Sequence, residues 1–511
     1  MYPRSLSKLF LFILQVSTLG SGQQNTCSIK EDLGDIRTVF PGDLDYPSLS
    51  AAYNLRYDVR PLAISFPTDT QHVSTIVKVG AANNLRVVAR SGGHSYIANG
   101  LGGKNGTLVV DLSELKDIII DPETFDAKIE TGNRLGDIAL ALNEKGRGLP
   151  HGRCAYVGIG GHSGFGGWGF ASRMWGLTLD NILSATIVLA NGTITTASED
   201  SQPDLFWGIR GSSASFGIIT SISVRTHPIP SGGTFFFLFW DMDIPNASST
   251  FSSWQSFALS SSLPTTFGGE LGILKGSAYG RVQVAFLGSY FGSADQAEFN
   301  KTVEPFLSGL PEPDVSLGST LVSGSWIEVL AAGAAPTGVL NTTMGGKDAN
   351  DTFYAKSLMT PQDVPLTEEA MGALMEYLGT EGFESNTFWH VEIELYGGVE
   401  SAVNAVPLNS TAFAHRNTLF TFQPYASSPN FLPPFPEEAF GFVDGMVSSI
   451  TSHMPENWNI GAYPNYIEDR LPDSQRLYYG THYHRLKELK ASLDPTNVFQ
   501  FPTSIEEPEH V

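Results

Sequence analysis

Two short segments place a histidine and a cysteine among closely spaced glycines. In Arg90-Ser91-Gly92-Gly93-His94-Ser95-Tyr96 the β-branched run LRVVAR leads straight into a glycine turn bearing an imidazole. In His151-Gly-Arg-Cys154 a thiol stands in the densest glycine stretch of the chain, residues 151–170, which includes Gly158, Gly161, Gly164 and Gly166. A tight glycine turn after a strand aims several backbone N–H groups at one point, a nest suited to a pyrophosphate. Glycine at this density costs entropy in regular structure and is expected where a ligand or another backbone approaches closely. Neutral imidazole and thiolate are both nucleophiles. The plainer readings are a hydrogen-bonded turn histidine and an inert buried thiol. Gly164, Gly166 and Gly169 also match G-x-G-x-x-G. That match is read as a decoy, because a glycine run rather than a strand precedes it and the next acid, Asp180, comes too early for a ribose partner.

The surrounding elements suggest how these segments are held. Over residues 60–230 short β-branched runs alternate with helical patterns, and QHVSTIVKVGAANN and LGDIALALNEKG space their apolar residues as helices do. SATIVLANGTITTA, with Asn191-Gly192 between two alternating runs, predicts a hairpin. Pro228, Pro230 and Ser231-Gly232-Gly233 mark a boundary. Beyond it TFFFLFWDM, VQVAFLGSYF, FWHVEIELYGG and LFTFQPYA read as strands of a largely antiparallel sheet, with helices such as EEAMGALMEYLG against one face. The expected fold is α+β, with a first domain over 23–230, a second over 231–455 and a segment over 456–511. That last segment is too small to fold alone and is expected to pack back on the first domain.

The chain has 511 residues, a net charge of −22 and 11% aromatic residues, a globular composition with material for a large core. Its acidity argues against a nucleic-acid partner, since that affinity rests on Lys and Arg. Arg4 and Lys8 precede a short apolar run and small residues, so residues 1–22 read as a secretory signal; a retained anchor or buried helix is the alternative. No later run is long enough for a membrane span. Asn-X-Ser/Thr triplets begin at Asn105, Asn191, Asn246, Asn300, Asn341, Asn350 and Asn409, as in a secreted glycoprotein. Of the two cysteines, Cys27 and Cys154, a mutual bridge is one reading and a functional Cys154 the other.

Arg90 to Tyr96, His151 to His162, Gly176-Leu-Thr-Leu-Asp180-Asn181, Arg210-Gly-Ser-Ser-Ala-Ser-Phe-Gly-Ile-Ile219, Tyr463-Pro-Asn465-Tyr466 and Asp494-Pro-Thr-Asn497 occur in this order. Together they resemble the berberine-bridge-enzyme-like, PCMH-type FAD oxidases, and most of all the fungal gluco- and chito-oligosaccharide oxidases. The resemblance spans about residues 40–505. It implies a two-lobed FAD-binding domain closed by the C-terminal segment, with the second domain roofing the substrate face of the flavin. FAD would be attached twice, through His94 to the 8α-methyl carbon and through Cys154 to C6. Arg90, Ser91, Gly92, Gly93, Ser95, Gly158, Gly161, His162, Gly164, Gly166, Ile219 and Asn465 would complete the cofactor site, and no metal is expected.

The implied reaction oxidises a sugar's anomeric hydroxyl to a lactone, with O2 as acceptor and hydrogen peroxide as product. A phenol with a pKa of about 10 is a poor base alone and needs a partner. In similar enzymes that partner is an aspartate before a Gly-Gly. Here the matching positions are Tyr466, with Tyr463 as runner-up, and Glu394 ahead of Gly397-Gly398. Tyr96, Trp168, Trp175, Tyr396 and Tyr425 are candidates to line the substrate site, and Tyr96 is also counted with Tyr466, Glu394 and Tyr463 among the candidate catalytic residues. Two other departures concern Val79, where relatives often carry a partner for the amino-terminal cysteine, and Ser212-Ser213, where they often carry glycine. Cys27 is therefore expected to be unpaired or paired between molecules, and FAD binding to survive. The expected protein is a monomer acting on a small molecule. A secondary-metabolite tailoring oxidase and a non-catalytic sugar-binding flavoprotein are the alternatives.

Overall fold

A computed structural model of the chain describes residues 28–335, 338–344 and 349–506. The expected signal segment and Cys27 lie outside the described residues.

Three layers position the site. The strands Ala63–Ser65, Leu108–Asp111 and Val87–Arg90 run parallel, with Thr38–Val39 antiparallel at the edge. Parallel strands need a crossover, and the helix Thr70–Ala82 carries the chain from Ala63–Ser65 to Val87–Arg90, on the two sides of Leu108–Asp111. It is capped by the Asp69 side chain, which accepts from the His72 N–H, and buries Val73, Ile76, Val77 and Val79 against the sheet. A second, five-stranded antiparallel sheet follows, in the order Ile118–Ile120, Ala127–Glu130, Ile218–Val224, Ile182–Val188, Ile194–Ser198. Its last two strands form the expected hairpin, with Gly192 at φ +78 in the turn.

The second domain is an antiparallel sheet of eight strands. Because strand residues alternate faces, each run has two destinations. Phe236, Leu271, Ile273, Phe286, Val391, Ile393, Phe420 and Phe422 pack under the helices Ile244–Ala258, Gln296–Leu307, Glu368–Gly379 and Glu437–Thr451. The other face of its centre carries Glu270, His390, Glu392, Glu394, Gln423 and Tyr425 and looks toward the first domain.

The carboxy-terminal segment returns to the first domain through buried polar contacts. Lys490 is wholly buried and donates to the carbonyls of Ser215 and Phe499 and, at 2.7 Å, to Asp494. Asp494 accepts in turn from the N–H groups of Val498 and Phe499, each at 2.8 Å. Paired and hydrogen-bonded in this way, the two charges tolerate burial, so the Asp494-Pro-Thr-Asn497 turn serves as an anchor. Among the described residues no helix is long and apolar enough to cross a membrane.

Candidate active site

The two glycine turns meet directly. A methyl carbon on Gly92 would lie 2.2 Å from the Gly158 nitrogen, and one on Gly158 would lie 2.0 Å from the Gly92 nitrogen. Only glycine at both positions allows this approach. Ser91 locks it, its Oγ donating to the Thr131 carbonyl at 2.5 Å and accepting from the Gly160 N–H at 3.2 Å. His94 and Cys154, distant in sequence, therefore border the same cavity, of about 540 Å³, between the two domains. The His94 ring stacks on Tyr53 at 4.3 Å, 13° from parallel. Gly92→Ala drives a methyl into backbone rather than a flexible side chain. It is expected to cost about 1–3 kcal/mol in denaturant unfolding and to lower the flavin content of the purified protein. Gly161→Ala, with nothing within 4 Å of the added carbon, is expected to unfold within about 0.5 kcal/mol of wild type.

Ser91, Gly93, Ser95, Tyr96, Gly158, Gly161, His162, Ile219, Tyr463, Asn465, Tyr466 and Glu394 also border this cavity. Burial holds His162 down to about 3. It is therefore neutral, and its Nε2 accepts from the Gly152 N–H at 3.1 Å. Asn465 donates to the His162 carbonyl at 3.1 Å. The helix Pro203–Ser212 breaks at Arg210 and Gly211, the latter at φ +145, and delivers Ser213 and Ala214 to the cavity wall.

Several expected positions do other work. Arg90 borders the cavity, but its guanidinium pairs with Asp111 and with the Leu49 carbonyl. Gly164 and Gly166 are not on its wall. Carbons added there would meet Ser213 Oγ at 2.0 Å and the Tyr463 ring at 2.5 Å, so both are glycine because other side chains press on them. The glycine stretch is not all loop either, since Ile159–Gly164 forms a short helix. Tyr425 and Trp168 border the cavity, but Tyr396 is fully buried behind Trp168, and Trp175 packs on His227 and Trp326.

At the roof the Tyr466 hydroxyl donates to Glu394 Oε1 at 2.5 Å, so the longer acid reaches the phenol. Tyr96 lies parallel to Tyr466, ring centres 6.0 Å apart, and accepts from Gln423 Nε2 at 2.7 Å. Tyr463 is oriented differently. Its oxygen accepts from the N–H groups of Gly167 and Trp168 and from Asn465 Nδ2, and its ring meets Tyr466 edge to face at 5.0 Å. Tyr463 thus buttresses Tyr466, the one of the two aimed at a carboxylate.

Sequence reasoning assigned no role to Arg153, Glu270 or Glu392. Glu270 stands directly across from Glu394, on the neighbouring strand Phe267–Lys275. Carboxylate oxygens of Glu270, Glu392 and Glu394 lie within 4.8 Å of one another. Arg153 enters from the first domain, 2.5 Å from Glu392 and 3.3 Å from Glu270. Its guanidinium supplies the cation that such a cluster would otherwise take from a metal. Burial, reinforced by Glu270 and Glu392, holds Glu394 well above the usual carboxylate range. Burial and Glu392 raise Glu270 to about 8. The phenol of Tyr466 is raised by burial and then by Glu394. The pair can accept a proton only when Glu394 is ionised, so its basicity appears as pH rises. The alternation His390, Glu392, Glu394 against Trp389, Val391, Ile393 is the signal that exposes this polar face in the sequence.

Residues 61–198 match the family model of an FAD binding domain, and residues 462–506 the model described as berberine and berberine like. The chain is 35% identical to the xylooligosaccharide oxidase of Thermothelomyces thermophilus, covering 90% of each chain. A solved chitooligosaccharide oxidase superposes with a TM-score of 0.86 at 31% identity, over 95% of this chain and 100% of that one. The glucooligosaccharide oxidase of Acremonium strictum, described as holding a 6-S-cysteinyl, 8α-N1-histidyl FAD, gives 0.84 at 30% identity over 94% and 99%. Two glycine turns that meet at one cavity, the phenol–carboxylate pair in its roof and these likenesses lead to one assignment: the chain belongs to the berberine-bridge-enzyme-like FAD-dependent oxidoreductases.

Proposed function

We propose that this protein oxidises the anomeric hydroxyl of an oligosaccharide or related reducing sugar to a lactone. The Tyr466–Glu394 pair, which borders the same cavity as His94 and Cys154, carries the reading. A histidine and a cysteine that open on one cavity from two touching turns fit a ring held between them, so His94 and Cys154 are the attachment points in this proposal. FAD, when bound, supplies the two-electron chemistry, accepting hydride from carbon and passing electrons to O2 to give hydrogen peroxide. The chain's part is protonic and positional. Tyr466 Oη takes the hydroxyl proton as hydride leaves and hands its own proton to Glu394 Oε1, a general-base step. Tyr96 and Gln423 offer hydroxyl and amide contacts beside it.

The enzyme is further proposed to be an exported, N-glycosylated monomer. Asn105, Asn191, Asn246, Asn300, Asn350 and Asn409 are exposed and Asn341 half-buried, which supports access for glycosylation. A peroxide-coupled screen of the purified protein against mono- and oligosaccharides, phenols and alcohols tests the substrate class. Turnover of a reducing sugar is expected; silence on every sugar with turnover of a phenol or alcohol overturns it.

A further inference from the structure

Three carboxyl groups and one guanidinium meet at the roof of the cavity, two of the three paired with it. Glu270 is fully buried, Glu394 is 2% exposed, and one oxygen of each has no hydrogen-bond partner. Arg153 reaches Glu392 and Glu270 but makes no ion pair with Glu394. An ionised carboxylate with an unsatisfied buried oxygen is costly, and two facing carboxylates cannot both ionise cheaply. The cluster must therefore hold protons near neutral pH, and how many it holds depends on every member.

We propose that Glu270 is a positioning residue for proton abstraction: facing Glu394 in register and drawing on the guanidinium that also serves Glu392, it sets the pH above which Glu394 accepts the proton passed on by Tyr466. This rests on the reading of Tyr466 and Glu394 as the base. The step balances: the substrate O–H proton moves to Tyr466 Oη, the Tyr466 proton moves to Glu394, and the carboxylate becomes a carboxylic acid while hydride leaves the carbon. With Glu270 ionised, the like charge across the strand pair keeps Glu394 protonated; with Glu270 neutral, Glu394 is freed to ionise. The other groups bearing on Glu394 are Glu392 on its own strand Phe388–Leu395, Tyr396 just past the end of that strand, Tyr466 and Tyr463 on the carboxy-terminal segment, Tyr96 after the His94 turn, and Arg153 beside Cys154. Thr421, across from Glu394 on the strand Thr418–Ser427, does not titrate. Of these groups only Arg153 is cationic, so its removal acts opposite to that of Glu270.

The test uses the flavin-loaded protein and two readouts. In substrate-free protein, infrared titration follows the C=O stretch of buried carboxylic acids. Wild type is expected to keep this band at neutral pH, E270Q to lose part of it and titrate the rest at lower pH, and R153Q to hold it to higher pH. In anaerobic stopped flow with a substrate from the screen, the midpoint of the pH profile for flavin reduction is expected to fall by about one unit in E270Q, equivalent to a tenfold gain in the active fraction on the acid limb. It is expected to rise in R153Q. E392Q provides a second variant if either fails to fold, with a downward shift expected. A merely structural role lowers the plateau and leaves the midpoint in place. Coincident midpoints and coincident infrared titrations for E270Q and wild type overturn the proposal. So do shifts of the same sign in E270Q and R153Q. The infrared arm needs no substrate, so an enzyme silent on all sugars contradicts the proposed function and leaves the cluster tested.

Discussion

Replacing Tyr466 by Phe is expected to slow anaerobic flavin reduction by substrate about 10²–10⁴-fold, the range of a lost general base, or about 3–5 kcal/mol of barrier. The substitution removes one oxygen and keeps the ring that lies parallel to Tyr96 and meets Tyr463 edge to face. The loss should therefore fall on the reduction rate rather than on substrate affinity or flavin content. Tyr463→Phe makes the contrast. Its oxygen accepts from the N–H groups of Gly167 and Trp168 and from Asn465 and meets no carboxylate in the described contacts, so its loss should loosen the loop at Gly167 and reduce the rate far less. Equal and large losses in both variants contradict the division of roles.

The second large effect is expected from Glu394→Asp. Removing a methylene withdraws the carboxylate by roughly 1–1.5 Å from a phenol it now contacts at 2.5 Å, and misplacement on that scale costs about a hundredfold. Glu394→Gln keeps the reach and loses the proton acceptor. It should be slow at every pH, whereas the aspartate variant should recover part of its rate as pH rises. The sign follows from the raised position of Glu394: below it the group is a carboxylic acid and accepts nothing, above it the carboxylate is available. An aspartate variant as fast as wild type would show that the 2.5 Å contact plays no part in the rate.

Much of this arrangement is legible in the sequence because local rules and tertiary packing agree. The helix Thr70–Ala82 and the hairpin at Asn191-Gly192 follow from apolar spacing and turn chemistry. The glycine pattern signals a close approach but does not say to what. Gly92 and Gly158 make room for each other, Gly166 makes room for Tyr463, and neighbouring glycines in one motif thus serve different ends. Arg90 is legible as part of a motif, yet its charge belongs to Asp111. Glu270 is the harder case. A single acid in the apolar run FGGELGIL carries no local signal, and its meaning comes only from strand register, which sets it opposite Glu394. Arg153 gains its role the same way, by reaching across the domain boundary.

We propose that one FAD is held covalently by both His94 and Cys154, and the proposed function depends on it. The direct measurement is acid precipitation of the purified protein, then proteolysis and mass spectrometry of the yellow fraction. The colour is expected to stay with the polypeptide, with a single flavin linking the peptide bearing His94 to the peptide bearing Cys154. Release of all the flavin into the acid supernatant, with both peptides at their unmodified masses, would contradict it.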